Sequence, residues 1–142
     1  MISRTTEYAL RAMVILAKQP EKSWKTKDIA KITKVPTDYL SKVLQNLSRH
    51  KLVISQRGIK GGISLGKSAE TITILDIANA VDPILRIKTC PLNLEEHSLS
   101  LCPLHKKLDH AIYLVEKIFQ TTTLAELIDN PQSLQAIAAE CF

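Results

Sequence analysis

Apolar residues recur at spacings of three and four from Thr5 to Lys18, placing Leu10, Met13, Val14 and Ala17 on one side of a helix that Thr5 or Thr6 can cap and Gln19-Pro20 ends. A charged link containing Trp24 follows. Thr26 then reads as the cap of a second helix, Lys27 to about Ile32, with Ile29 and Ala30 inward. After a turn over residues 33–35, Pro36 suits the first turn of a third helix reaching about His50, with Leu40, Val43, Leu44 and Leu47 as its apolar stripe. The pattern then changes to short, partly β-branched runs, Leu52 to Gln56 and Ile63 to Leu65. They flank Arg57-Gly58-Ile59-Lys60-Gly61-Gly62 and read as a small hairpin.

Thr73 and Asp76 form a capping-box pattern opening a helix through Val81, which stops at Asp82-Pro83. A loop from Thr89 to His105 carries cysteines. From Pro103 to about Gln120 the apolar positions Leu104, Leu108, Ala111, Val115 and Ile118 repeat by four and three, with Ile112 and Phe119 broadening the seam. The helix either packs on its own domain or pairs with a second copy. With little chain left to cover it, a homodimer is expected. Thr123 and Glu126 form a second capping box for Leu124 to Ile128, and Pro131 opens a terminal helix. The fold class is mainly α with a small β wing: a winged helix-turn-helix followed by a long C-terminal dimerisation helix. The expected divisions are residues 1–67 for DNA binding, 68–88 as a connecting helix, 89–105 as a sensor loop and 103–142 for dimerisation.

The 142 residues, 45% of them hydrophobic but only 4% aromatic, supply one modest aliphatic core. Residues 1–67 carry 14 basic and 4 acidic side chains, whereas 68–142 carry 5 basic and 10 acidic. A basic half joined to an acidic half points the first towards a polyanion, with nucleic acid foremost and a solvated Lys-rich surface as the plain alternative. No stretch approaches the roughly 18 apolar residues of a membrane span, and the N-terminus lacks a signal-peptide pattern, so no membrane partner and a cytoplasmic location are expected.

Two helices, a tight turn and a glycine-rich hairpin follow the order of a winged helix-turn-helix. With its stripe inward, the third helix presents Thr37, Asp38, Ser41, Lys42 and Gln45 outward. Thr37, Ser41 and Gln45 suit base edges and Lys42 a phosphate. The wing joins Arg57 and Lys60 to Gly58, Gly61 and Gly62, letting the backbone approach phosphates or the minor groove.

Cys90, His97, Cys102 and His105 lie in a C-x6-H-x4-C-x2-H arrangement. Thiolate and imidazole are donors that zinc and iron–sulfur iron accept, although this spacing is not that of a common zinc finger. Cys102 and His105 can instead simply fill the start of the long helix.

The segments Thr6-Glu7-Tyr8-Ala9-Leu10-Arg11-Ala12, Tyr39-Leu40-Ser41-Lys42-Val43-Leu44 and Arg57-Gly58-Ile59-Lys60-Gly61-Gly62 resemble the bacterial Rrf2 family of regulators. The resemblance spans nearly the whole chain. It implies a homodimer binding a roughly palindromic double-stranded promoter site through helix and wing, and adds Tyr39 to the DNA-binding set. Cluster-bearing members carry C-x5-C-x5-C, sometimes with a histidine after two further residues. Cys90, Cys102 and His105 match those positions, but the middle one is Glu96, beside His97. The resemblance therefore implies a mixed-ligand iron–sulfur cluster, [2Fe-2S] rather than [4Fe-4S], which senses redox state, nitric oxide or cluster status. Glu7 matches a first-helix carboxylate that some members donate across the dimer. Bound zinc, or a cluster-free regulator of the CymR type, are the alternatives; Cys141 is expected to pack or dangle. A thiol enzyme with Cys102 as nucleophile and His105 as base is disfavoured, since no orienting group or oxyanion site accompanies them, and no enzyme is expected.

Overall fold

Ser3, not Thr5 or Thr6, caps the first helix: its Oγ accepts a hydrogen bond from the Thr6 amide at 3.2 Å, and α1 runs Arg4–Lys18. The threonines lie two and three residues past the cap, inside the first turn. In this computed structural model the described residues are 2–91 and 100–129, so the expectations for Glu96, His97, Cys141 and the helix from Pro131 lie outside them. α1 is central to the core. Ala12 to Ala17 are all buried, a wider face than a surface helix shows, because α2, α3, α4 and α6 all pack against it.

α2 (Thr26–Thr33) begins one residue before the expected start. Lys25 holds the cap position without a side-chain bond, and its carbonyl accepts from the Asp28 and Ile29 amides at 3.0 and 3.2 Å. Ile29 and Ala30 face the core. The turn into the next helix is made by Lys34 in the left-handed region at φ 54°, where its amide donates to the Ala30 carbonyl and closes the helix. Pro36 has an extended ψ of 132° and therefore precedes α3 (Thr37–Arg49) instead of lying in its first turn. Leu40, Val43, Leu44 and Leu47 are buried as their spacing predicts.

β1 (Val53–Gln56) and β2 (Gly62–Leu65) pair antiparallel in the register Val53↔Leu65 to Gln56↔Gly62. Trp24 adds an isolated antiparallel bridge to β2: its amide donates to the Ile63 carbonyl at 2.8 Å, and the Ile63 amide returns a bond at 2.6 Å. The link before α2 thus anchors the wing to the helical core.

α4 (Ile74–Val81) begins with the reciprocal Thr73–Asp76 box. α6 (Leu124–Asp129) begins with the Thr123–Glu126 pair, and the two starts are joined by bonds from Ile74 N to Thr122 O and Leu124 N to Ile72 O, at 3.0 and 2.7 Å. Ile72, Ile77 and Leu124 are fully buried in the same core as α1 and α3. Between α4 and α6 lies α5 (Pro103–Thr121), none of whose residues is buried. Ile112, Val115 and Phe119 turn towards α4 and the segment after it, while Leu104 and Ile118 remain 63% and 61% exposed. No described helix is long and apolar enough to cross a membrane.

Candidate nucleic-acid interface and thiol site

With the apolar stripe of α3 buried, Thr37, Asp38, Lys42 and Gln45 stand exposed on its other side. Ser41 is half-buried and its hydroxyl donates to the Thr37 carbonyl at 2.9 Å, a bond within the helix. Tyr39 lies on the flank. Its hydroxyl is 2.5 Å from that of Thr5, and its ring meets Tyr8 edge-on at a centroid distance of 5.6 Å. Tyr39 therefore ties the start of α3 to α1, a role that the helical pattern does not reveal.

At the wing tip Arg57, Gly58, Ile59 and Lys60 are exposed. Gly58 adopts φ 109° with open space where a Cβ would sit, so its glycine serves the turn itself. Gly62 serves packing: a Cβ there would lie 2.6 Å from the Trp24 carbonyl oxygen. Ile59 escapes a reading based on polar and cationic side chains, yet it is completely solvent-exposed between two cations. Its signal in the sequence is an aliphatic residue where a turn normally places a polar one.

Cys102 occupies the N-cap of α5 and Pro103 follows at the first helical position. Three residues on, the His105 ring returns over the cap, bringing Nδ1 to 3.1 Å from Cys102 Sγ. The same nitrogen lies 3.9 Å from Cys90 Sγ, and Cys90 is buried. Helix geometry accounts for the first pair; the second depends on the extended segment after α4. There Arg86 forks onto Asp109 of α5 with bonds of 2.7 and 2.5 Å, and Asp109 Oδ1 also accepts the Ile87 amide at 2.9 Å. The Arg86 bonds, aided by the Ile87 amide, hold the Asp109 carboxyl below the usual aspartate range, and the same pairing pushes the Arg86 guanidinium up.

An imidazole approached by two thiols offers the donor types that zinc or a mixed-ligand cluster takes. Among the described residues, however, they form no group of three that could by itself hold a metal ion. Glu7 is not at this site within the chain; it pairs with Arg11 one turn along α1, and Arg11 also donates to the Thr33 carbonyl at 3.3 Å.

Residues 2–130 match the family model described as Rrf2, iron-dependent transcriptional regulator. This chain belongs to the Rrf2 family. An HTH-type transcriptional regulator of Aquifex aeolicus (strain VF5) is 33% identical over 132 residues, covering 91% of this chain and 92% of that protein. Among solved structures, CymR, described as the global cysteine regulator of B. subtilis, superposes with a TM-score of 0.76 at 30% identity. The match covers 91% of this chain and 96% of that one. IscR of T. potens superposes at 0.77 with 22% identity, covering 95% and 90%, a likeness of fold. As an Rrf2 protein the chain is a transcriptional regulator with a winged helix, not an enzyme.

Proposed function

We propose that this Rrf2 protein is a homodimer that places α3 in the major groove of a promoter site and its wing against phosphates or the minor groove, and that Cys90, Cys102 and His105 hold an iron–sulfur cluster. In this reading Thr37, Ser41 and Gln45 address bases, while Lys42, Arg57 and Lys60 supply charge over close-lying wing backbone at Gly58, Gly61 and Gly62. Tyr39 acts by orienting the start of α3. Residues 1–67 bind DNA, 68–88 connect, 89–105 sense and 103–142 dimerise.

The observation that carries the proposal is that two thiols and an imidazole meet at the start of the helix whose outer apolar seam has no cover within the described chain. Sensor and dimer contact then share one element, and a change at its start alters the spacing of the two recognition helices. The substitution of Glu96 for the middle cysteine favours [2Fe-2S] over [4Fe-4S], with His97 or the partner's equivalent of Glu7 as the remaining donor. When bound, the cluster supplies a centre sensitive to redox state and nitric oxide.

The test is anaerobic purification of the full chain, a visible spectrum, and iron, sulfide and zinc analysis, with salt-dependent binding to promoter and random DNA. A coloured protein that loses iron and signal-dependent DNA binding in a Cys90→Ala, Cys102→Ala variant is expected. Colourless protein holding stoichiometric zinc favours a zinc-stabilised regulator at the same donors. Metal content and signal response that survive the double substitution would overturn the sensor reading.

A further inference from the structure

The segment from Arg86 to Cys90 runs against the direction of α5 and meets it at two levels. At the first, Asp109 accepts both arms of the Arg86 fork and the Ile87 amide. At the second, three residues further along the segment, Cys90 faces His105. His105 and Asp109 are four residues apart, so they are neighbours on one helix face. Arg86 also reaches Glu116 at 3.5 Å and lies 5.1 Å from the centre of the Tyr113 ring, which aligns it along the same side of α5. The first attachment thus sets the register of the second.

The geometry points to Asp109, held by Arg86, as the positioning residue that presents the Cys90 thiol to His105. A partly exposed ion pair alone adds little stability. This carboxylate does more than pair: with one oxygen on a backbone amide and both in a planar fork, it fixes the path of the chain, and the chain delivers a buried cysteine one helical turn away. Asp109 touches neither sulfur. It acts through the backbone from Ile87 to Cys90, as outer partners orient ligands at metal centres. The consequence for metal binding rests on the proposed function; the placement of Cys90 does not.

The experiment uses full-length protein, the variant Asp109→Asn, and Glu116→Gln as the control that removes only the weaker arm. In metal-free protein, the rates at which a thiol reagent modifies Cys90 and Cys102 are followed by peptide mass mapping. Cobalt(II) then serves as the metal probe, read by affinity and by its thiolate charge-transfer band. Asp109→Asn is expected to speed modification of Cys90 but not Cys102, and to weaken cobalt binding by roughly 10- to 100-fold. Its charge-transfer band falls towards that of a single thiolate. Glu116→Gln should behave like wild type. Arg86→Lys, which keeps the charge and loses the fork, should move Cys90 in the same direction and provides a second reading should Asp109→Asn fail to fold.

Unchanged Cys90 protection in both Asp109→Asn and Arg86→Lys would overturn the proposal. If wild-type protein takes up no cobalt, the metal reading fails, while Cys90 reactivity in metal-free protein still decides the role of Asp109.

Discussion

The Tyr39 hydroxyl lies 2.5 Å from the Thr5 hydroxyl, so the first turn of α3 is fastened to the first turn of α1 across a separation of 34 residues. With the Tyr8 ring edge-on against Tyr39, this arrangement fixes where the exposed face of α3 begins. Tyr39→Phe keeps the ring packing and removes the hydroxyl pair. It should lower stability by about 0.5–1 kcal/mol in urea unfolding and leave the salt dependence of DNA binding unchanged. A loss of DNA affinity without a loss of stability would instead assign the hydroxyl to the DNA.

The wing carries a steric prediction. Gly62→Ala drives a methyl group into the Trp24 backbone carbonyl, which cannot rotate away as a side chain would. A loss of about 1–3 kcal/mol in unfolding experiments is expected, together with weaker DNA binding from a displaced wing.

Charge and shape at the wing tip separate experimentally. Replacing Arg57 or Lys60 with alanine should reduce the slope of log affinity against log salt by about 1 for each phosphate that is no longer neutralised. Ile59→Ala should leave that slope unchanged while lowering affinity, because its exposed side chain carries no charge.

The outer seam of α5 predicts the assembly. Leu108→Glu or Ile118→Glu places a charge on a surface that is already exposed within one chain, so the isolated fold should persist. Sedimentation should show monomers in place of dimers, and Tm should no longer depend on protein concentration. Dimers that survive both substitutions would remove α5 from the interface.

Asp109 also sets a pH dependence. Its folded-state pKa is depressed by the Arg86 bonds and the Ile87 amide, so its contribution to stability is complete above the ordinary value of 3.8. That contribution is lost as pH falls through the lower folded value. Unfolding followed between neutral pH and strongly acidic pH should show an acid limb that Asp109→Asn reduces; an unaltered limb would mean that the pair does not favour the folded state.

The buried stripe of α3, the Thr73–Asp76 and Thr123–Glu126 boxes and the hairpin flanking the glycines are all local patterns, and each is legible in the sequence. So is the Cys102–His105 pair, since a cap residue and the third helical position are neighbours in any helix. Local rules are weaker at boundaries, where Ser3 and Lys25 hold cap positions that the pattern assigns to threonines and Pro36 precedes the helix in whose first turn the pattern places it.

The order of the elements, their inward faces, the basic N-terminal half and the donor types near α5 follow from the chain alone, because backbone periodicity and residue chemistry dictate them. Only the folded molecule shows that Trp24 joins the wing, that Tyr39 is held by Thr5, and that Cys90 reaches His105 beside the Arg86–Asp109 fork. The physical reason is common to all three. Each pairing joins residues that no helical or strand period relates, and they meet only because burying the aliphatic faces of α1, α3 and α4 in one core brings their segments together.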